Sequence, residues 1–319
     1  MTMGAAHILI AGCGDLGLRT AQRLLQRSDV ARVYGLRRHP PGETPAVLGR
    51  SDEVDERDGG DSPNTPNTLA DAYFTKWRWV AGDLSDPQSL THLPSDITHV
   101  MFTPTPGDRS AVAYERVFLH GQKTLYAALA QSRSSGDAFK RWLFVSSSAV
   151  YGDHHGDWID ETTPTAPQGF NGEVLCAAED WLAAHEGQAC VLRLAGLYGP
   201  GRVQLLERLR AGRAHAPIDP PHMANRIHIE DAASACATLL MHPHPESVYL
   251  GADDHPQALH SLYAALAELL GAPRPTAGSP PANVGSKRMS NARLRSAGWT
   301  PRYPDAVTGY TAVIAHLDK

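Results

Sequence analysis

Two short stretches of the sequence carry residues whose types and spacing could do chemistry. The first is SSSAVYG at 146–152, which follows the apolar run RWLFV and would place small hydroxyl groups at the end of a buried strand. The second is Gly12-x-Gly14-x-x-Gly17, which follows the apolar run HILIA. In such a loop the first glycine permits a tight turn, the second lets backbone approach a pyrophosphate, and the third lets helix and strand pack closely. The second stretch predicts a dinucleotide site, and the first raises the question whether it holds a catalytic serine.

The segment after the glycine-rich loop is predicted to be a helix whose N-terminus binds phosphate. It reads LGLRTAQRLLQR, in which Leu16, Ala21, Leu24 and Leu25 share one side at helical spacing. The free N–H groups of a first helical turn and the positive end of the helix dipole both favour an anion. We therefore assign Asp15 and Leu16 to the cofactor site together with the three glycines.

The next predicted strand, ARVYGL, ends in Arg37 and Arg38. Sites for NAD or for S-adenosylmethionine usually carry an acid at this place, which binds the ribose hydroxyls, whereas a guanidinium suits a 2′-phosphate. The two arginines therefore favour NADP, with NAD left open, and they disfavour a methyltransferase. The plain structural alternative is a pair of solvated arginines at a strand end.

Composition excludes several classes of protein. The chain has 319 residues, of which 42% are hydrophobic, and a formal net charge of -5, which predicts neither a nucleic-acid partner nor a membrane surface. The N-terminus lacks the basic start and apolar run of a signal peptide, and the four cysteines lie far apart without a CxxC pair. We expect a cytoplasmic protein with reduced thiols, no metal site and a small-molecule substrate.

Apolar runs alternate with helical segments through the first half of the chain. The runs read HILIAG, ARVYGL, WRWVAG, ITHVMFT, RWLFVSS and ACVLRLAG. Strands separated by helices predict an α/β fold with a parallel sheet that is covered on both faces. Residues 40–70 interrupt this rhythm with a polar stretch rich in proline and glycine, which we interpret as a mobile loop.

After about residue 196 the alternation loosens. Four stretches have helical spacing, whereas ANRIHI and SVYLG are typical of short strands, and 271–285 resembles a surface loop. We predict two domains, a nucleotide-binding domain at 1–195 and a smaller lobe at 196–319 that is interleaved with the first.

At this point the chain resembles the extended short-chain dehydrogenases/reductases, the group that contains the nucleotide-sugar epimerases and dehydratases. The resemblance rests on GCGDLG, GDLSDP, SSSAVYG, LRLAGLYGPGR and RIHIEDAA, which follow one another in family order. It implies a doubly wound Rossmann sheet with a smaller C-terminal substrate lobe. It also implies that Asp83 and Leu84 border the adenine, that Thr103 lies beside the cofactor and that Ser147 is the catalytic hydroxyl.

The sequence departs from the family at the usual Tyr-x-x-x-Lys pair. Alignment of Glu179 with the glutamate that follows the family's lysine puts Asn171 at the tyrosine position and Leu175 at the lysine position. Shifting the alignment does not restore the pair, because the chain has no lysine between Lys140 and Lys287. The family tyrosine acts as a base because the lysine cation lowers its pKa. Ser147 and Asn171 could still orient a carbonyl, and the chain is identified as a divergent branch.

Two functions follow from this combination. The first is an NADP-dependent oxidoreductase or epimerase that acts on a nucleotide sugar or a related carbonyl or hydroxyl compound, with Arg202 in contact with the substrate. The second is a non-catalytic NADP-binding sensor or regulator. If the protein is an enzyme, an acid that replaces the missing tyrosine could come from the loop that follows SSSAVYG. This loop contains His154, His155, Asp157 and Glu161. A homodimer is left open.

Overall fold

A parallel sheet of seven strands forms the centre of the computed structural model, which describes residues 5–43, 45, 75–132 and 139–317. The strands lie in the order β12-β7-β5-β4-β1-β2-β3, and every neighbouring pair is parallel. They are β1 (Ala6–Ala11), β2 (Val30–Arg37), β3 (Trp77–Ala81), β4 (His99–Phe102), β5 (Arg141–Ser147), β7 (Ala189–Leu194) and β12 (Val248–Gly251). The order reverses at β1, as in a doubly wound Rossmann sheet. The predicted fold class is confirmed.

Helices flank this sheet because each carries a buried apolar side. They are α1 (Asp15–Leu25), α3 (Phe170–His185), α4 (Gln204–Arg210), α5 (Ile229–Met241), α6 (Leu259–Leu269), α7 (Ala292–Ser296) and α8 (Ala306–Leu317). The helix α2 has three parts: Ala111–Tyr114, a π-helical segment Glu115–His120, and Gly121–Ser132. Helix α1 packs against α5, and α2 packs against α3. Among the described residues, none of the helices combines the length and the apolar character that a membrane span requires.

The stretch SVYLG differs from its predicted place. We expected it in the smaller lobe, but as β12 it pairs with β7 in the central sheet, with Val248 opposite Val191. Its residues Tyr249, Leu250 and Gly251 are buried, which identifies a strand but not its partner. A short apolar run indicates a strand but not the strand with which it pairs. The pairing depends on the path of the chain through α5, which precedes β12. The division at residue 195 stays a prediction.

A second and smaller apolar core lies in the C-terminal half. It is formed by Tyr198 and by residues of α4, α6 and α8. Four two-stranded sheets lie beside the central sheet: β8 (Gly196–Tyr198) with β11 (Arg226–His228), β9 (His215–Ala216) with β14 (Thr276–Ala277), β10 (Met223–Ala224) with β13 (Gln257–Ala258), and β6 (Trp158–Ile159) with β15 (Arg288–Met289). The first three lie within the C-terminal half, and the fourth connects it to the first half. The last of these places residues near the C-terminus beside the loop that follows β5.

The predicted mobile loop at 40–70 is outside the described residues from 46 onward. The structure describes its first residues, up to position 43, as exposed chain that continues from β2. The prediction of mobility there stays a prediction.

Candidate functional site

The glycine-rich turn after β1 has the geometry that its sequence requires. Gly12 has a φ of +77°, and a Cβ added to it would lie 2.3 Å from the Cα of Pro104. A Cβ on Gly17 would lie 2.9 Å from the Cγ2 of Ile10, which is the close contact between helix and strand expected at this position. Around Gly14, by contrast, such an atom would come only within 3.9 Å of the Gly12 oxygen. The turn is thus tight at its ends and open at Gly14.

The first turn of α1 faces this opening. Gly14 is the N-cap residue and supplies no side chain to the helix N–H groups. Asp15, which begins the helix, accepts hydrogen bonds from Arg19 (2.7 Å) and from Arg202. Burial raises the pKa of the Asp15 carboxyl, but these two hydrogen bonds outweigh it and hold the pKa below its usual range. Arg202 therefore lies over the N-terminus of α1, at the side of the predicted cofactor.

A cavity of about 390 Å³ extends from this turn along the carboxyl ends of the strands. Its wall includes most of the predicted site residues, namely Gly12, Gly14, Asp15, Leu16, Gly17, Thr103, Ser147, Asn171 and Arg202. We call it the nicotinamide-side cavity. Carboxyl ends of parallel strands on either side of a switch point are where open α/β sheets bind ligands.

A neighbouring cavity of about 400 Å³ shares Gly12, Gly14, Pro104 and Thr105 with the first. Its wall holds the remaining predicted cofactor residues, which are Arg37, Arg38, Asp83 and Leu84. We call it the adenosine-side cavity. The two cavities together form one elongated cleft that crosses the end of β1.

The adenosine-side cavity is rich in positive charge. Arg37 lies 5.8 Å from the ring centre of Trp79, and Arg116 of α2 joins Arg37 and Arg38 in the wall. Asp83 is the acid of this wall, and its Oδ1 accepts hydrogen bonds from the N–H (2.8 Å) and the hydroxyl (2.7 Å) of Ser85. The backbone hydrogen bond from Ser85 is the largest cause that keeps the pKa of Asp83 below its usual range.

A buried ionic network fixes the end of β5, where the predicted catalytic serine lies. The carboxylate of Glu179 on α3 accepts hydrogen bonds from Ser146 Oγ (2.5 Å) and from Arg193 Nη2 (2.6 Å). Arg193 of β7 also donates to the hydroxyl of Tyr151 at 2.7 Å. The next residue, Ser147, accepts a hydrogen bond from Ala149 N–H (3.2 Å) and lines the cleft. The network thus holds the SSSAVYG loop against the sheet.

Close packing at the start of α3 brings Asn171 to the same place. A Cβ on Gly172 would lie 2.2 Å from the oxygen of Ala149, so the first turn of α3 touches the SSSAVYG loop directly. Asn171 and Leu175 both line the nicotinamide-side cavity, together with Ser147. These are the two positions that the sequence alignment assigned to the family's tyrosine and lysine. Neither an amide nor an isobutyl group titrates near neutral pH.

Ser147 and Asn171 also line a third cavity of about 330 Å³, which leads into the C-terminal half. We call it the substrate-side cavity. Its basic side chains are Arg109, His222, Arg226 and Lys287, and its wall contains no acidic residue among those that the structure describes. It adjoins a larger cavity of about 870 Å³ through His222, Pro281, Asn283, Val284 and Gly285.

The replacement acids considered in the sequence lie elsewhere. Glu161 has a side chain only 3% exposed, and its Oε1 accepts a hydrogen bond from the N–H of Leu250 at 2.9 Å, behind the edge of the sheet. Burial raises the pKa of this carboxyl. His155 lines the larger cavity with its side chain 89% exposed. In the described part of the chain, neither His154, Asp157 nor Glu161 contributes to the nicotinamide-side or substrate-side wall.

Sequence reasoning missed four basic residues of the cleft: Arg109, Arg116, Arg226 as a wall residue, and Lys287. Arg109 and Arg116 lie close together around the start of α2, whereas Arg226 and Lys287 come from two distant stretches, and no motif relates the four. The one available signal for Lys287 was its rarity, since the chain contains only five lysines.

Comparisons with known proteins agree with this architecture. Residues 8–251 match the model of the NAD dependent epimerase/dehydratase family. A structure from Methylobacillus flagellatus, provisionally named an NAD-dependent epimerase/dehydratase, is 29% identical, with a TM-score of 0.74 over 99% of this chain and 100% of that one. The UDP-glucose 4-epimerase of Thermus thermophilus, solved with NAD, shares the fold at 20% identity and a TM-score of 0.71, over 98% of this chain and 99% of that one.

A curated relative is similar over a shorter range. Protein YeeZ of Escherichia coli K12 is 38% identical over 168 residues, which is 52% of this chain. The match spans 59% of the length of YeeZ. Because the family model covers most of the sheet and both predicted motifs, the chain belongs to the NAD dependent epimerase/dehydratase family.

Proposed function

We propose that this protein is a nicotinamide-dependent oxidoreductase or epimerase acting on a carbonyl or hydroxyl group of a nucleotide sugar or a related compound. The observation that carries the proposal is the junction at Ser147 and Asn171. These two residues line both the nicotinamide-side cavity and the substrate-side cavity, so a substrate in the second would meet a cofactor in the first. Hydride transfer needs such a meeting.

The residues of the cleft fit a dinucleotide. The open backbone at Gly14 and the uncapped first turn of α1 suit a pyrophosphate, and Thr103 and Ser147 flank the region beyond it. When bound there, a nicotinamide cofactor would supply or accept a hydride. The chain's own contribution would be to hold the substrate oxygen with the Ser147 hydroxyl and the Asn171 amide.

We propose NADP as the preferred cofactor and keep NAD as the alternative. Arg37, Arg38 and Arg116 surround the adenosine-side cavity, where a 2′-phosphate would lie. Guanidinium groups recognise phosphate with paired N–H donors. The Thermus thermophilus neighbour was solved with NAD, so its cofactor does not decide the question for this chain.

The proposed substrate class rests on space and charge. The substrate-side cavity adjoins the larger cavity in the C-terminal half, so an elongated ligand could occupy both. Arg109, Arg226 and Lys287 in its wall favour an anionic group such as a diphosphate. The name of the Thermus thermophilus neighbour, a UDP-glucose 4-epimerase, points to the same class of compound. The C-terminal half with its separate core would act as the substrate lobe.

A sensor that binds NADP without catalysis is the second candidate. It is favoured by one observation, which is that Asn171 and Leu175 occupy the cleft wall where the sequence alignment places the family's tyrosine and lysine. Such a protein would keep cofactor affinity and lose turnover.

Calorimetry and a turnover assay would separate these readings. Titration with NADPH and NADH should give several-fold tighter binding of NADPH, and the double variant Arg37→Asp/Arg38→Ala should narrow the difference. Nicotinamide absorbance should then be followed over a panel of nucleotide sugars and simple carbonyl compounds. Turnover that is abolished by Ser147→Ala would support the enzyme. Equal affinities would contradict the NADP preference, and tight binding without any turnover would favour the sensor.

A further inference from the structure

A buried lysine lies in the wall of the substrate-side cavity, although the aligned lysine position on α3 holds Leu175. Lys287 is 3% exposed and shares this wall with Ser147 and Asn171. The cavity measures about 330 Å³, which is near the lower end of the range for small-molecule sites. A sugar-sized ligand that filled it would therefore contact these side chains together.

The segment that carries Lys287 is fixed on both sides. A Cβ on Gly285 would lie 2.3 Å from the oxygen of Gly152, so the segment runs directly against the SSSAVYG loop. Ser286 donates its N–H to Asp153 Oδ1 at 2.7 Å. From the other side, the amide of Asn225 donates to the Lys287 oxygen at 2.8 Å. The lysine backbone is thus preorganised, as an acid–base group requires.

The amino group itself is held weakly. Lys287 Nζ donates to the oxygens of Gly285 at 3.2 Å and of Tyr151 and Gly152 at 3.4 Å each, which are long hydrogen bonds. Within the described part of the chain no carboxylate lies within ion-pair distance of it. Burial lowers the pKa of the amine to about 8, and the charge of Asp153 opposes this shift.

Several charged or titratable groups surround the amine of Lys287. Those that share the cavity wall with it or act on its charge are Arg109, Tyr151, Asp153, His222, Arg226 and Tyr263. Burial, together with the charge of Lys287, lowers the pKa of His222, which favours its neutral form. The hydroxyl of Tyr151 is engaged by Arg193, and burial raises its pKa.

We propose that Lys287 is a catalytic residue of this protein: it exchanges a proton with the substrate oxygen that Ser147 and Asn171 hold. The proposal rests on the proposed function. It assigns to the C-terminal half the acid–base group that α3 lacks.

In reduction, the Lys287 ammonium would donate a proton to the carbonyl oxygen of the substrate, while a reduced nicotinamide bound in the cleft would supply a hydride to the carbonyl carbon. The products would be an alcohol, an oxidised nicotinamide and a neutral amine, which would regain its proton from water. In oxidation, the neutral amine would take the hydroxyl proton, and the hydride would pass from the carbon to an oxidised nicotinamide.

Competitive acetylation of the full chain with trace acetic anhydride, from about pH 6 to about pH 10, would test this without any substrate. The chain has five lysines, Lys76, Lys123, Lys140, Lys287 and Lys319, so each can be followed by mass spectrometry. Lys287 should reach half of its maximal reactivity near pH 8, well below the value of about 10.4 for a lysine amine in a model peptide. The exposed Lys140 is the internal reference. A Lys287 that stays unreactive, or that titrates together with Lys140, would overturn the proposal.

Turnover gives the second readout once a substrate is found. Lys287→Met should lower kcat roughly 10²–10⁴-fold and leave the Kd for NADPH within about twofold. Lys287→Arg keeps the charge but cannot release its proton near neutral pH, so it should also be slow and should lose the pH dependence near 8. Lys140→Met is the matched control. If Lys287→Met retains turnover within about threefold, Lys287 is only a structural clamp. Failure to bind either nucleotide would instead refute the proposed function.

Discussion

The two ends of the cleft are built in different ways. Apart from Arg116 and Val117 of α2, the adenosine side and the glycine-rich turn come from the residues that follow β1, β2, β3 and β4, each within a few positions of its strand. The substrate-side cavity is assembled from stretches near 109, 147–151, 171, 222–226 and 281–287. The first end is therefore a property of the sheet, whereas the second depends on how the C-terminal half packs against it.

Because of this difference, single substitutions should act differently at the two ends of the cleft. At the proposed cofactor end the sheet topology places the residues of the wall, since carboxyl ends of parallel strands meet at one edge. At the substrate end the groups are held by contacts between distant segments, such as that between Gly285 and Gly152. We therefore expect a substitution at a single backbone position to weaken binding at the cofactor end. At the substrate end, we expect binding to be lost when the packing between the distant segments is disturbed.

The largest effect should come from the network that supports both ends. Glu179→Ala leaves Arg193 as a buried cation without its partner, and their side chains are only 7% and 9% exposed. Loss of one member of a buried pair costs about 3–5 kcal/mol. Urea unfolding should show that the free energy of unfolding decreases by this amount. Both the affinity for the cofactor and the turnover should also fall. Asp180→Ala, at the exposed neighbouring position on α3, is the control and should leave stability nearly unchanged. A loss below about 1 kcal/mol in Glu179→Ala would show that the network is not the common support.

Gly12→Ala should damage the cofactor end alone. The new Cβ would meet the backbone of Pro104 at 2.3 Å, and the φ of +77° is strained for an L side chain. Backbone strain of this kind costs of order 1–3 kcal/mol, and relief would move the turn away from its pyrophosphate geometry. The Kd for NADPH measured by calorimetry should rise at least about tenfold, which corresponds to about 1.4 kcal/mol. Gly187→Ala, which has open space around it, should change neither affinity nor stability by a comparable amount.

The geometry of the glycine-rich turn could be predicted because its signals are local. The spacing of Gly12 and Gly17 indicated a tight turn and a close helix–strand contact, and the apolar strands placed Thr103 and Ser147 at one edge of the sheet. Lys287 could not be placed in this way, since it reaches the cleft through pairing of β15 with β6, across 130 residues of chain. The same reason explains β12, whose residues identify a strand without its partner.

Beside Arg226, outside the wall of the substrate-side cavity, lies a buried carboxyl that should make the stability of the protein depend on pH. Asp253 is 2% exposed, its Oδ2 has no hydrogen-bond partner among the described residues, and its backbone N–H donates to Arg226. Burial is the largest cause that raises its pKa to about 7, with Asp305 adding to the shift and His255 and Arg226 opposing it.

The sign of the effect follows from the raised pKa. The folded chain retains the Asp253 proton to a higher pH than the unfolded chain, so this group's contribution to stability is lost as pH rises from about 4 to about 7. Asp253→Asn removes the free-energy cost of ionising this buried carboxyl. Its stabilising effect, relative to the wild type, should grow by on the order of 2 kcal/mol between pH 5 and pH 8. Urea unfolding at both pH values measures this, with the exposed Glu268→Gln as control. A pH-independent difference would mean that Asp253 stays ionised in the fold.

The smallest effect is expected for substitution of Arg202, and it should show whether this residue acts at the cofactor end or at the substrate end of the cleft. From the sequence we assigned it to the substrate, but the structure pairs it with Asp15 at the N-terminus of α1. The pair is half-exposed, with side chains 30% and 41% exposed, so it should contribute only about 0–1 kcal/mol to stability. If Arg202 serves the cofactor end, Arg202→Ala should weaken NADPH binding severalfold, more at low than at high salt, because a guanidinium near phosphate acts through a screened charge. Arg210→Ala on α4, an exposed position of the same lobe, is the control. An unchanged Kd for NADPH together with a raised KM for substrate would return Arg202 to the substrate end.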